Sequence, residues 1–195
     1  MRRSTHQFVH TLVLAALFLA LALVLPFFTG QIPQIGGMLL PMHLPAFLCG
    51  LICGWQYGLA VGFAAPLLRL ALFSMPPLLT ATAMAFELAA YGGIAGVLYG
   101  RVRRQGVLTL YRCLIAAMAG GRLVWAAVRT AMTGVAGEPF TWQIFLAEGL
   151  LNAVPGIALQ LVLIPAVMAA LDRSGLVRFR REGAPAAPAA GAGPL

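Results

Sequence analysis

Five ionisable side chains, Arg69, Glu87, Arg122, Arg129 and Glu148, fall inside stretches of the chain that otherwise read as membrane-spanning. A charge at the centre of a bilayer costs roughly 2.5–3.5 kcal/mol on insertion scales, so such residues face a cavity or a partner and mark a functional site by default. Three of the five are cationic and two anionic. If they share a pocket, a positive charge is left over for a ligand to neutralise. Arg offers two parallel donors to a carboxylate, which makes Arg122 and Arg129 the candidates for an acidic group. Glu87, Glu148 and Asn152 would accept from hydroxyls or amides, and Tyr91 and Trp125 would supply flat walls. The competing reading is that Arg and Glu pair between helices and only fix packing. For Arg69, snorkelling to the outer interface competes as well.

The spacing of these groups places them on helices. Arg122, Trp125 and Arg129 are three and four residues apart and share one helix face, as do Glu87 with Tyr91 and Glu148 with Asn152. Gln160 lies two turns deeper on the last helix. His43 opens the second apolar segment, beside the first outer loop. Catalytic chemistry has no support: the serines are Ser4, Ser74 and Ser174, none in a nucleophile elbow. No zinc motif or phosphate loop is present, and His6 with His10 lacks a third ligand. No catalytic residue, metal site or cofactor is therefore expected.

Composition sets the class. The 195 residues are 61% hydrophobic and 9% charged, against about 25% charged in soluble domains. The formal charge of +8 comes from thirteen arginines and no lysine. Most of them lie between or beyond the apolar spans, the positive-inside pattern of a membrane protein rather than a nucleic-acid footprint. Cys49, Cys53 and Cys113 sit in apolar segments and read as buried thiols.

A span needs about 20 apolar residues. Six fit: 8–28, two within 43–74 split by a turn near 54–58, then 79–99, 107–133 and 142–171. Residues 1–7 form a cytoplasmic N-terminus. The six spans make one domain over 8–171, and 172–195 is a basic, then low-complexity and disordered, cytoplasmic tail. Six spans put both termini on one side, with Arg2, Arg3, Arg101, Arg103, Arg104, Arg173, Arg178, Arg180 and Arg181, which assigns that side to the cytoplasm. The fold class is an all-α membrane protein of six transmembrane helices. The Gly- and Pro-rich segment 29–42 would lid a pocket in the extracellular half. Glycines four apart at Gly50, Gly54, Gly58 and Gly62, and at Gly92, Gly96 and Gly100, suit close helix approach in lipid.

The blocks Pro41-Met-His-Leu-Pro45, Gly54-Trp-Gln-Tyr-Gly58, Pro66-Leu-Leu-Arg69, Met75-Pro-Pro77, Ala85-Phe-Glu-Leu88 and Gly121-Arg122 with Trp125 resemble the substrate-binding S components of energy-coupling factor (ECF) transporters. The resemblance runs from about residue 8 to 171. It implies a vitamin-binding subunit of a bacterial or archaeal cell membrane, working with a transmembrane coupling (T) subunit and two cytosolic ATPases. It also implies that Ala16 and Ala20, an Ala-xxx-Ala pair on the first helix, contact the coupling subunit. The ligand would be held by the outer loops and the outer halves of helices four to six. With the surplus positive charge, the expected substrate is a small water-soluble anion of the pantothenate, nicotinate or folate class. The site set is then His43, Arg69, Glu87, Tyr91, Arg122, Trp125, Arg129, Glu148 and Asn152. The alternatives are a stand-alone secondary carrier or channel, weakened by the lack of an internal repeat, and an intramembrane enzyme using Glu87 or Glu148 as acid or base.

Overall fold

The computed structural model describes residues 5–28, 40–102, 105–136 and 153–174. Among them lie six helices: α1 (Thr5–Phe28), α2 (His43–Cys53), α3 (Trp55–Phe73), α4 (Leu78–Arg101), α5 (Val107–Ala136) and α6 (Val154–Arg173). Five are long and apolar enough to cross a bilayer; α2 is not. The sequence reading of two spans within 43–74 thus resolves into one half-length helix and one candidate span. At 1.5 Å per residue the 11 residues of α2 cover only about 17 Å. The turn between them is a single residue, Gly54, at φ 100° and ψ 165°, a conformation open to glycine alone.

Helix ends follow local chemistry. Ser74 closes α3 in the left-handed conformation, its N–H bonded to Leu70 O, and Pro76 and Pro77 follow. Phe27 and Phe73 meet edge to face at 5.1 Å, so α1 and α3 finish at the same end of the bundle. We call this the Pro77 end; α4 starts there and runs back to the Arg101 end. α6 begins at Val154 with Pro155 in its first turn, where a missing N–H costs nothing. The earlier part of the expected sixth span lies outside the described residues, as do segment 29–39, Glu148, Asn152 and the tail beyond Ser174.

Glycines weld α2, α3 and α4 into one unit. A Cβ on Gly58 would lie 2.5 Å from Gly50 Cα and 2.8 Å from Gly92 O, and one on Gly96 would lie 2.6 Å from Trp55 Cα. Gly62 meets the backbone of Leu88 in the same way. In lipid, where apolar surface gains nothing by leaving water, such backbone contact supplies the dispersion energy of association. Gly100 faces open space and Gly54 only breaks the helix, so the four-residue repeat serves packing at Gly50, Gly58, Gly62, Gly92 and Gly96. α5 packs on α4, α1 on α2 and α3, and α6 on α5 and α2.

Candidate functional site

Glu87 is the tenth residue of α4, about 14 Å from the Pro77 end of a helix about 36 Å long. It is 2% exposed. Its Oε1 accepts from Tyr91 Oη at 2.7 Å, one helical turn along, and from Arg122 Nη1 at 2.9 Å, across on α5. Its Oε2 faces His43 Nε2 at 3.8 Å, beyond hydrogen-bond length. Three helices thus meet at one buried carboxylate: α2 brings a histidine, α4 the acid and its tyrosine, α5 an arginine.

Local sequence builds this meeting point. His43 is the first residue of α2, so the half-length helix starts at the level of Glu87. Phe47, one turn on, stacks on the Tyr91 ring at 4.9 Å and 25°, while His43 lies 5.2 Å from the same ring. Gly121 on α5 leaves room for that ring, whose atoms a Cβ there would displace. Gly121 and Arg122 act as a pair: the first lets α5 come close enough for the second to reach Glu87. Arg122 also lies over the Trp125 ring at 6.0 Å, and Trp125 is buried.

The cluster has more donors than its acid uses. Arg122 is 12% exposed and spends Nη1 on Glu87, while its buried Nε and Nη2 make no hydrogen bond among the described residues. Both ring nitrogens of His43 and Nε2 of Gln160 on α6 are buried and equally unspent. A buried polar atom without a partner costs about 1–3 kcal/mol. Beside the paired carboxylate, the N–H groups of Arg122 suit acceptors brought by a ligand, and the His43 imidazole, when neutral, offers one donor and one acceptor. Arg129 lies two turns nearer the Pro77 end on the same face of α5 as Arg122 and Trp125.

Arg69 does not join them. Its Nη1 donates to Leu23 O at 2.9 Å, and its guanidinium lies 5.1 Å from the Phe27 ring and 5.5 Å from the Phe73 ring. It fastens the end of α1 to α3. The carbonyl it holds is next to that of Ala22, which loses its own helical partner to Pro26. Of the sequence-derived set, His43, Glu87, Tyr91 and Arg122 come together, with Trp125 against Arg122, and Arg69 stands apart. Phe47 and Gly121 were not among the sequence-derived site residues. Phe47 follows from the i, i+4 spacing to His43, whereas Gly121 shows its role only once Tyr91 is seen across from it.

A family model described as the ECF transporter substrate-specific component matches residues 10–171. No curated protein and no solved structure matches the chain.

Proposed function

The chain belongs to the family of ECF transporter substrate-specific components, and from that membership and the buried cluster we propose that it captures a small water-soluble anion through Arg122 and His43. As a member of the family it is a substrate-binding membrane subunit, a transport component that associates with a T component and ATPases. The pantothenate, nicotinate and folate classes fit an acid-bearing ligand of this kind. Glu87, Tyr91, Trp125, Arg129, Glu148 and Asn152 complete the proposed contact set. Arg69 takes a different role, holding α1. The arginine bias puts both termini and the Arg101 end in the cytoplasm and opens the site to the outside. Ala16 and Ala20 are exposed on α1, as a face for the coupling subunit requires.

One observation carries the ligand's charge: the unspent, buried N–H groups of Arg122, with the open ring nitrogens of His43 beside the same carboxylate. An acceptor-rich ligand satisfies them, while a cation would meet Arg122 directly. Release of small molecules from gently purified protein, read by mass spectrometry, tests this. The expected result is one stoichiometric carboxylate-bearing vitamin. Its affinity should fall about 10–100-fold in Arg122→Gln, the worth of a charge-assisted hydrogen bond of about 1.5–3 kcal/mol. A cationic ligand, or unchanged affinity in that variant, overturns the assignment.

A further inference from the structure

A second concavity lies away from the polar cluster, on the outer face of the α3–α4 pair. It is a groove of about 670 Å³ lined by Trp55, Leu59 and Phe63 of α3 and by Phe86, Ala90 and Gly93 of α4, continuing past Val97 to Leu98. All of these side chains are hydrocarbon except for the Trp55 indole. The small residues Ala90 and Gly93 form its floor, and the half-exposed aromatic rings stand as its rims, Phe63 and Phe86 meeting edge to face at 5.4 Å.

Its length and its end are both informative. From Phe86 to Leu98 the groove follows α4 for about 18 Å. This approximates half of the roughly 30 Å hydrocarbon core, the depth of one leaflet. Arg101 lies four residues beyond Val97 and three beyond Leu98, so it continues the same helix face and is exposed there. Trp55, the first residue of α3, sits at that end too, where an indole suits the headgroup level. On the proposed orientation this end meets the cytoplasmic leaflet, which carries the anionic lipids.

We infer that the α3–α4 groove is a binding site for one anionic phospholipid, its acyl chain along Ala90 and Gly93 and its headgroup phosphate on Arg101. The site is separate from the vitamin site and does not depend on which vitamin is bound. A Cβ on Gly93 would lie 3.6 Å from Leu59 Cδ1, an ordinary contact, so bulk added there fills the groove without disturbing the backbone weld.

The experiment uses the purified full chain and native mass spectrometry, with phosphatidylglycerol and phosphatidylcholine of identical chains added in competition. Wild type should retain one phospholipid with about a fivefold preference for phosphatidylglycerol, the worth of one arginine at the membrane surface. Arg101→Gln should abolish the preference and keep occupancy, and Ala90→Leu/Gly93→Leu should lose the lipid. A second reading guards against misfolded variants. Phosphatidylglycerol brominated along its chain should quench wild-type tryptophan emission more than that of Trp55→Phe. Equal retention by the filled variant, or equal quenching in both proteins, overturns the inference. So does a filled variant that keeps its lipid but no longer captures the coupling subunit, which would make the groove a protein interface.

Discussion

Replacing Glu87 by Gln isolates the buried charge that organises the cluster. At 2.9 Å and an effective dielectric constant of 20, the Glu87–Arg122 attraction is about 6 kcal/mol. Desolvation of both ions offsets most of that, so the pair itself contributes little net stability. Removing one partner is different, because the other charge is left buried and uncompensated at a cost of about 3–5 kcal/mol. Gln keeps the acceptor that Tyr91 and Arg122 use, so the lower figure applies. For a chain of 150–250 residues each kcal/mol shifts Tm by about 2–4 °C, so Glu87→Gln should unfold about 6–12 °C below wild type when stripped of ligand. Glu87→Gln/Arg122→Met, with both charges gone, should recover at least half of the loss. Anion affinity should move the other way: Glu87→Gln removes the negative charge that competes with a ligand for Arg122, and should bind an anionic ligand more tightly. Thermal unfolding in detergent and titration calorimetry read the two effects. A Glu87→Gln protein as stable as wild type, or a double variant no better than the worse single one, would refute the buried-pair reasoning.

Gly92→Ala should prevent recovery of monodisperse protein, because its Cβ would meet the Gly58 backbone, Cα at 2.9 Å, while Gly100→Ala should leave Tm within about 2 °C of wild type; size-exclusion profiles and unfolding curves decide. Arg69→Met should lower stability by about 1–3 kcal/mol through loss of its bond to Leu23 O and its place between two rings, yet leave vitamin affinity unchanged in the same calorimetric assay. Ala16→Leu/Ala20→Leu adds bulk to an exposed face of α1 and should abolish co-purification with the coupling subunit while vitamin binding survives.

The elements legible in the sequence were those dictated by the cost of charge and polar backbone in lipid. Helix existence and approximate limits followed from apolar length, as in α4, expected over 79–99 and found over Leu78–Arg101. Glu87 and Arg122 stood out because no charge rests unpaired at that depth, although 35 positions separate them. Less legible was anything set by how helices lean on one another. Arg69 lies in the same half of the bundle as the cluster, about a turn from the Pro77 end, but its direction depends on α1 ending beside α3, a tertiary fact without a local signature. The shortness of α2 was legible from the turn near 54–58, since only about eleven residues precede it. The glycine repeat through Gly50, Gly54 and Gly58 reads as uniform, yet Gly54 has φ 100° and serves as a break while its neighbours serve as contacts.

That division of labour among glycines bears on how the site can respond. Gly50, Gly58 and Gly92 join α2, α3 and α4 backbone to backbone, leaving no side-chain layer between them to adjust. α5 meets this unit differently, through the Tyr91 ring over Gly121 and through the Arg122–Glu87 pair. Side-chain contacts can exchange partners where backbone contacts cannot. The unspent donors therefore lie on both sides of the one seam in the cluster that a ligand can rearrange, His43 on the rigid side and Arg122 on the other. An anion that draws Arg122 toward itself loosens the pair tying α5 to α4 and replaces it with a tie through the ligand. On the proposed function, an anion bound at Arg122 would therefore couple occupancy of the site to the contact between α5 and the welded trio.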